Sequence, residues 1–142
     1  MLTVLHYSSL QMFIISLHKM NQFAIPKIHN IKECDTENGI LVFISFSMPK
    51  LSLIELSDQS QKYGATLVLR GLYKESFKST KEKIFEINPK GLRTNIHPEL
   101  FKRYNVRRVP TFILVKDGKE VNRLSGNVTL DFAAKKLEGR EQ

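Results

Sequence analysis

The sequence predicts an α/β domain. Its core is a mixed sheet, a parallel βαβ unit joined to a C-terminal antiparallel hairpin, flanked by helices and carrying a helical insertion. Three observations lead there. Two short apolar runs, at residues 40–46 and Ala65–Leu69, enclose a segment with helical periodicity. A second helical pattern follows without a strand-like run beside it. Further on, Asp117-Gly118 separates two strand-like runs with the residue types a two-residue hairpin requires. The chain has 142 residues, enough for one domain that buries a core without disulfides or metal.

Each element has its own local cause. Residues 10–17 place Leu10, Phe13, Ile14 and Leu17 at helical spacing. They read either as an amphipathic helix packed on the domain or as a degenerate export signal. A signal wants basic charge ahead of its apolar core, and the first lysine, Lys19, comes after it. Residues 1–39 are therefore a lead-in, ending in the turn-forming run Asp35-Thr36-Glu37-Asn38-Gly39, and the main domain is expected over 40–142.

Residues 40–46 are apolar on both faces, as in a central strand covered on both sides. Ser47-Met48-Pro49 then turns the chain into a helix. Ser47 is expected to cap it, and proline is tolerated early because its missing N–H has no partner there. Leu53, Leu56 and Tyr63 mark the inner face, with Gly64 at the C-terminal cap. Ala65–Leu69 is the second buried strand, parallel to the first through a right-handed crossover.

In the next segment Tyr73, Phe77, Ile84 and Ile87 form an expected core stripe. Lys74, Lys78 and Lys81 form a solvated face. Asn88-Pro89-Lys90-Gly91 stops that helix. A short helix is expected over 98–104. The hairpin comprises Thr111–Lys116 and residues 119–124, with glycine supplying positive φ in a type I′ turn. A last helix over 129–138 turns Leu130, Ala134 and Leu137 inward.

Composition narrows the function. The formal net charge is +8, which favours anionic partners. The basic residues are dispersed, no run of five occurs, and no nucleic-acid recognition motif accompanies them, so nucleic acid is not an expected partner. No stretch is long enough for a transmembrane helix. The chain contains one cysteine, Cys34, which excludes a CxxC pair, an internal disulfide and a cysteine zinc site. His6, His18, His29 and His97 lack metal-ligand spacing, so neither metal nor cofactor is expected.

The order β, α, β, helical segment, β-hairpin, α resembles the thioredoxin fold. Redox members of that fold place a cysteine at the turn from the first core strand into its helix, where the helix dipole lowers its pKa. Here the two cysteine positions fall on Ser47 and Lys50. Thiol–disulfide exchange needs an attacking sulfur, so no catalytic residue is assigned. Ser47 as a hydrolase nucleophile would need a base and an orienting acid. His97 is the one histidine inside the main domain, no G-x-S-x-G elbow is present, and the cap is the better assignment. Arg70 either pairs with a carboxylate such as Asp58 or Glu55 or lies at the sheet edge.

The same resemblance makes Val109-Pro110-Thr111 the second place of interest. In thioredoxin-like proteins the proline opening the hairpin strand is cis and faces the turn. The residue ahead of it offers backbone groups to an extended peptide, a form of strand addition. An ordinary trans proline at a strand start is the alternative. Ser47, Met48, Pro49, Val109, Pro110 and Thr111 are accordingly the candidate partner-binding residues.

A narrower resemblance rests on longer motifs. Phe43-Ile44-Ser45-Phe46-Ser47-Met48-Pro49 is similar to the opening motif of the TrbC family, the F-type conjugative transfer pilus assembly proteins. Gly64 to Leu72, with its Leu69-Arg70-Gly71-Leu72, agrees in order. So do residues 96–106 with Pro98 and Leu100-Phe101, then Val109-Pro110-Thr111-Phe112 and Gly126-Asn127-Val128-Thr129-Leu130-Asp131. The resemblance spans roughly residues 40–138. It implies a periplasmic component of a type IV secretion system, acting without enzymatic activity on a protein partner, a TraW-like pilus assembly protein. A thioredoxin-fold peptide-binding chaperone, or a disulfide isomerase relative without redox activity, is the alternative.

Overall fold

The structure is a computed structural model and describes residues 36–139. The expected helix at 10–17, Cys34, His6, His18 and His29 lie outside the described residues.

A five-stranded sheet forms the centre. Strand β1 is Gly39–Ile44, β2 Ala65–Leu69, β3 Thr94–Ile96, β4 Thr111–Lys116 and β5 Lys119–Ser125, arranged β3-β2-β1-β4-β5. β1 pairs in parallel with β2, and β2 with β3; β4 is antiparallel to both β1 and β5. Helices α1 (Lys50–Ser60), α2 (Phe77–Ile87), α3 (Pro98–Arg103) and α4 (Leu130–Leu137) connect and flank them.

The period-2 alternation of the central strands divides the core in two. Ile40, Val42, Ile44, Leu67, Leu69, Phe112 and Leu114 point to one face, where α1 contributes Leu53 and Leu56 and α4 contributes Leu130, Ala133, Ala134 and Leu137. Leu41, Phe43, Val68, Ile113 and Val115 point to the other, where Leu100, Phe101, Tyr104 and Val106 cover them. Phe43 meets Phe101 edge-on, with ring centroids 4.9 Å apart. The uninterrupted apolar runs of β1 and β4 follow from this double cover.

The hairpin forms as expected. Asp117 (φ 51°) and Gly118 (φ 75°) both take the left-handed region that a type I′ turn needs. The turn is also held from outside: the Gly118 N–H donates to the Glu37 carbonyl (2.9 Å) and the Asp117 N–H to Asn38 Oδ1 (3.0 Å).

Several expectations are corrected. Ser47 does not cap α1: the N-cap is Pro49, whose carbonyl accepts from the Leu53 N–H at 3.1 Å, and no side chain caps the helix. The helix starts later because residues 45–48 close a turn of their own, Met48 N–H to Ser45 carbonyl at 3.1 Å. Tyr63 and Gly64 lie beyond the end of α1, with Gln61 as its C-cap, and Gly64 supplies a left-handed residue (φ 61°) before β2.

The stripe through α2 is also revised. Tyr73 belongs to a separate 3-10 turn, Tyr73–Glu75, and Ser76 caps α2 by accepting from the Ser79 N–H. Phe77 is 77% exposed, while Thr80 and Ile87 are the buried residues of the helix. Lys74, Lys78 and Lys81 are exposed, as expected. Strand β3 had no sequence signal: Thr94-Asn95-Ile96 is short, has no apolar run and is mostly exposed at the sheet edge.

Candidate functional site at one end of the sheet

The three parallel strands all end at the same edge of the domain. The register aligns Ile44 with Leu69 and Leu69 with Ile96. It also aligns Phe43 with Thr111, so the start of β4 lies beside the end of β1. In open α/β sheets this carboxyl end, where connections diverge, is where ligands bind. The two candidate segments are therefore neighbours by topology. The turn at residues 45–49 leaves β1 there, and Val109-Pro110-Thr111 enters β4 there.

The turn is locally ordered. The Ser47 N–H donates to Ser45 Oγ (3.1 Å), and the two hydroxyls share a hydrogen bond of 2.9 Å. Ser47 itself is exposed. Met48, 8% exposed, anchors the turn in the same apolar cluster against which Phe46 and Val109 pack. Phe46 meets the Tyr73 ring edge-on at 5.7 Å, closing the turn on the side of β2. The sequence carries no mark of that aromatic pair, because by spacing alone Tyr73 fits a helical stripe.

On the other side, the Val109–Pro110 bond is cis, as the thioredoxin resemblance implied. Pro110 is buried, and its carbonyl accepts from the Gly126 N–H at 3.1 Å. Thr111, 1% exposed, donates to the Arg108 carbonyl (2.6 Å) and shares a hydrogen bond with Ser125 Oγ (2.9 Å). Thr111 therefore fixes the segment from beneath instead of lining an open surface. Among the described residues, the Val109 backbone N–H and carbonyl form no hydrogen bond. A buried or shielded backbone group without a partner is costly, so an unpaired amide–carbonyl pair at a sheet end is suited to receive an extended peptide.

The segment from Gly126 to Asp131 braces this arrangement. Gly126 holds the Pro110 carbonyl. Asn127 Oδ1 accepts from Ser52 Oγ on α1 (3.3 Å), and Thr129 caps α4 by accepting from the Phe132 N–H (3.1 Å). Asp131 accepts a hydrogen bond from the Tyr63 hydroxyl and pairs with Lys135 at 3.2 Å. The hydrogen bond from Tyr63, and then that from Lys135, hold the Asp131 carboxyl below its ordinary value.

The chemistry open to this end of the sheet is limited by its residue types. Ser47 and Lys50, the positions that the thioredoxin resemblance gives to a dithiol, supply no sulfur. Ser47 Oγ is bonded to Ser45, and His97 follows β3, which β2 separates from β1 by about 10 Å of sheet width. Ser47 and His97 therefore form no pair. Arg70 takes neither carboxylate as a partner; its guanidinium lies over the Phe101 ring at 5.4 Å from the centroid. Among the described residues no group of three or more His, Cys, Asp or Glu could hold a metal ion, and no helix is long and apolar enough to cross a membrane.

Comparison with known proteins supports the architecture. The exposed lipoprotein thioredoxin of Streptococcus pneumoniae superposes with a TM-score of 0.59 at 21% identity, covering 77% of this chain and 89% of that one. The reduced N-terminal domain of PilB from N. meningitidis gives 0.53 at 16% identity, covering 76% and 84%. Such similarity establishes the thioredoxin fold and no more. In sequence, the periplasmic protein TrbC of Escherichia coli (strain K12) is 29% identical over 102 residues, spanning 70% of this chain and 47% of that protein. The chain thus spans about half the length of the relative it matches. Residues 42–137 match the model of the type-F conjugative transfer system pilin assembly protein, a span that includes both candidate segments and residues 126–131. The chain belongs to the TrbC family of type-F conjugative transfer pilin assembly proteins.

Proposed function

We propose that this protein is a non-enzymatic periplasmic assembly factor of an F-type conjugative type IV secretion system, acting by binding a protein partner in the groove between Ser47-Met48-Pro49 and Val109-Pro110-Thr111. The observation that carries this reading is the unpaired Val109 backbone beside a turn whose two dithiol positions are Ser47 and Lys50. A peptide can add to that backbone as a strand, while the turn opposite has no thiol with which to exchange disulfides. Ser47 and Pro49 are the exposed residues of the turn and Val109 is the binding edge, while the buried Met48, Pro110 and Thr111 hold the two segments in place from within.

A TraW-like pilus assembly protein is the partner we assign, in keeping with the family. Its recognition would need no cofactor. The test is co-purification of this chain with a co-expressed TraW-like protein, together with an insulin-reduction assay. Stable co-purification with background reduction supports the reading. A folded chain that fails to retain that partner, or that reduces insulin above a cysteine-free control, contradicts it.

A further inference from the structure

We infer that the turn Tyr73–Ser76 is a working part of the candidate site and that the buried Thr80 is its positioning residue. The turn is held in a strained shape so that the Tyr73 ring backs Phe46 and fixes the form of the 45–49 turn that a partner meets. This rests on the 45–49 turn being a partner surface and adds what sets its shape.

Among the described residues, four that are not glycine have positive φ: Lys74 (51°), Glu75 (52°), Asn105 (49°) and Asp117 (51°). Asn105 and Asp117 are of the types that enter the left-handed region most readily. Asp117 also opens the hairpin turn, whose geometry demands that conformation. Lys74 and Glu75 are explained by neither. They are consecutive and exposed, and in this region the Cβ of an ordinary residue crowds the following carbonyl. A turn that only joined β2 to α2 would be relieved by glycine, which adopts the conformation without that crowding.

The turn is fixed from several sides. The Ser76 N–H donates to the Tyr73 carbonyl (3.1 Å), and the Glu75 N–H to the Leu72 carbonyl (3.3 Å). The Tyr73 N–H donates to Thr80 Oγ1 (2.8 Å), and that hydroxyl donates to the Ser76 carbonyl (2.7 Å). One buried side chain on α2 thus ties the first residue of the turn to the last. Sparsely populated backbone conformations held by such surroundings cluster at functional sites.

What the turn holds lies against the candidate site. The Tyr73 ring meets Phe46 edge-on at 5.7 Å, and Phe46 lies within the 45–49 turn, next to the exposed Ser47. The Lys74 and Lys83 ammonium groups are each 5.4 Å from the centroid of the same ring. Phe46 packs on the apolar cluster that anchors Met48. A displaced Tyr73 is therefore felt through one aromatic contact in the turn that carries Ser47, and Thr80 acts on that turn through Tyr73.

Isothermal titration of a purified TraW-like protein into the full chain, with urea unfolding of each variant, tests this. Glu75→Gly should raise the urea midpoint by releasing strain and weaken binding at least about fivefold by loosening the turn. Glu75→Gln loses the charge and keeps the strain, so it should match wild type in both. Thr80→Val should also weaken binding at least about fivefold. Thr80→Ser keeps the hydroxyl and should bind as wild type does. A turn that merely connects predicts a higher midpoint with unchanged affinity in Glu75→Gly. That result, a midpoint that does not rise, or Thr80→Ser binding as weakly as Thr80→Val overturns the inference, while weakened binding in Ser47→Trp leaves the partner site standing. No binding by wild type, or equal binding by Ser47→Trp, overturns the partner-site reading and this inference with it.

Discussion

Ser47 and Thr129 both precede helices, and only one of them caps. Thr129 accepts from the Phe132 N–H, while Ser47 is turned back onto Ser45. Thr129→Ala should therefore cost about 1 kcal/mol in a urea titration, whereas Ser47→Ala should stay within about 0.5 kcal/mol. The sequence could not separate the two, because a serine two residues before a proline fits a cap and a closed turn equally well. Asp131 makes a pH-dependent prediction. Its carboxyl is held below the ordinary value by Tyr63 and then Lys135, so the folded state binds the proton more weakly than the unfolded chain. The stabilisation is complete above the unfolded value and is lost as pH falls through the folded one. Wild type should exceed Asp131→Asn in stability at neutral pH, and the two should converge below about pH 4; chemical denaturation across that range checks it.

Helix α2 shows where periodicity misled. Tyr73, Phe77, Ile84 and Ile87 have helical spacing, but the chain places Tyr73 in a 3-10 turn and begins α2 anew at a Ser76 cap. The helix therefore rotates Phe77 outward and turns Thr80 and Ile87 inward. Ile87→Ala should destabilise by about 2–4 kcal/mol, and Phe77→Ala by less than about 0.5 kcal/mol, measured by the midpoints of urea unfolding. The central elements were legible for a simple reason. β1 and β4 are covered on both faces, so their composition is apolar throughout, and Asp117-Gly118 fixes their neighbour by backbone geometry alone. β3 was not legible, because a three-residue edge strand buries almost nothing and leaves no mark on the residue types.

At the scale of the whole molecule, the sheet brings together what the sequence keeps sixty residues apart, by about that much chain between Ser47 and Val109. Both segments stand out in the sequence as motifs. The brace was present as a motif too, Gly126 to Asp131, but what each residue holds became clear only with its partners in place. The groove itself is most directly tested by isothermal titration of the purified TraW-like partner with wild type and with Ser47→Trp. Ser47 is exposed and outside the core, so the indole fills the groove without disturbing the fold. Saturable binding by wild type, weakened at least about tenfold in Ser47→Trp, is the predicted result; equal affinity of the two proteins, both folded, would contradict it.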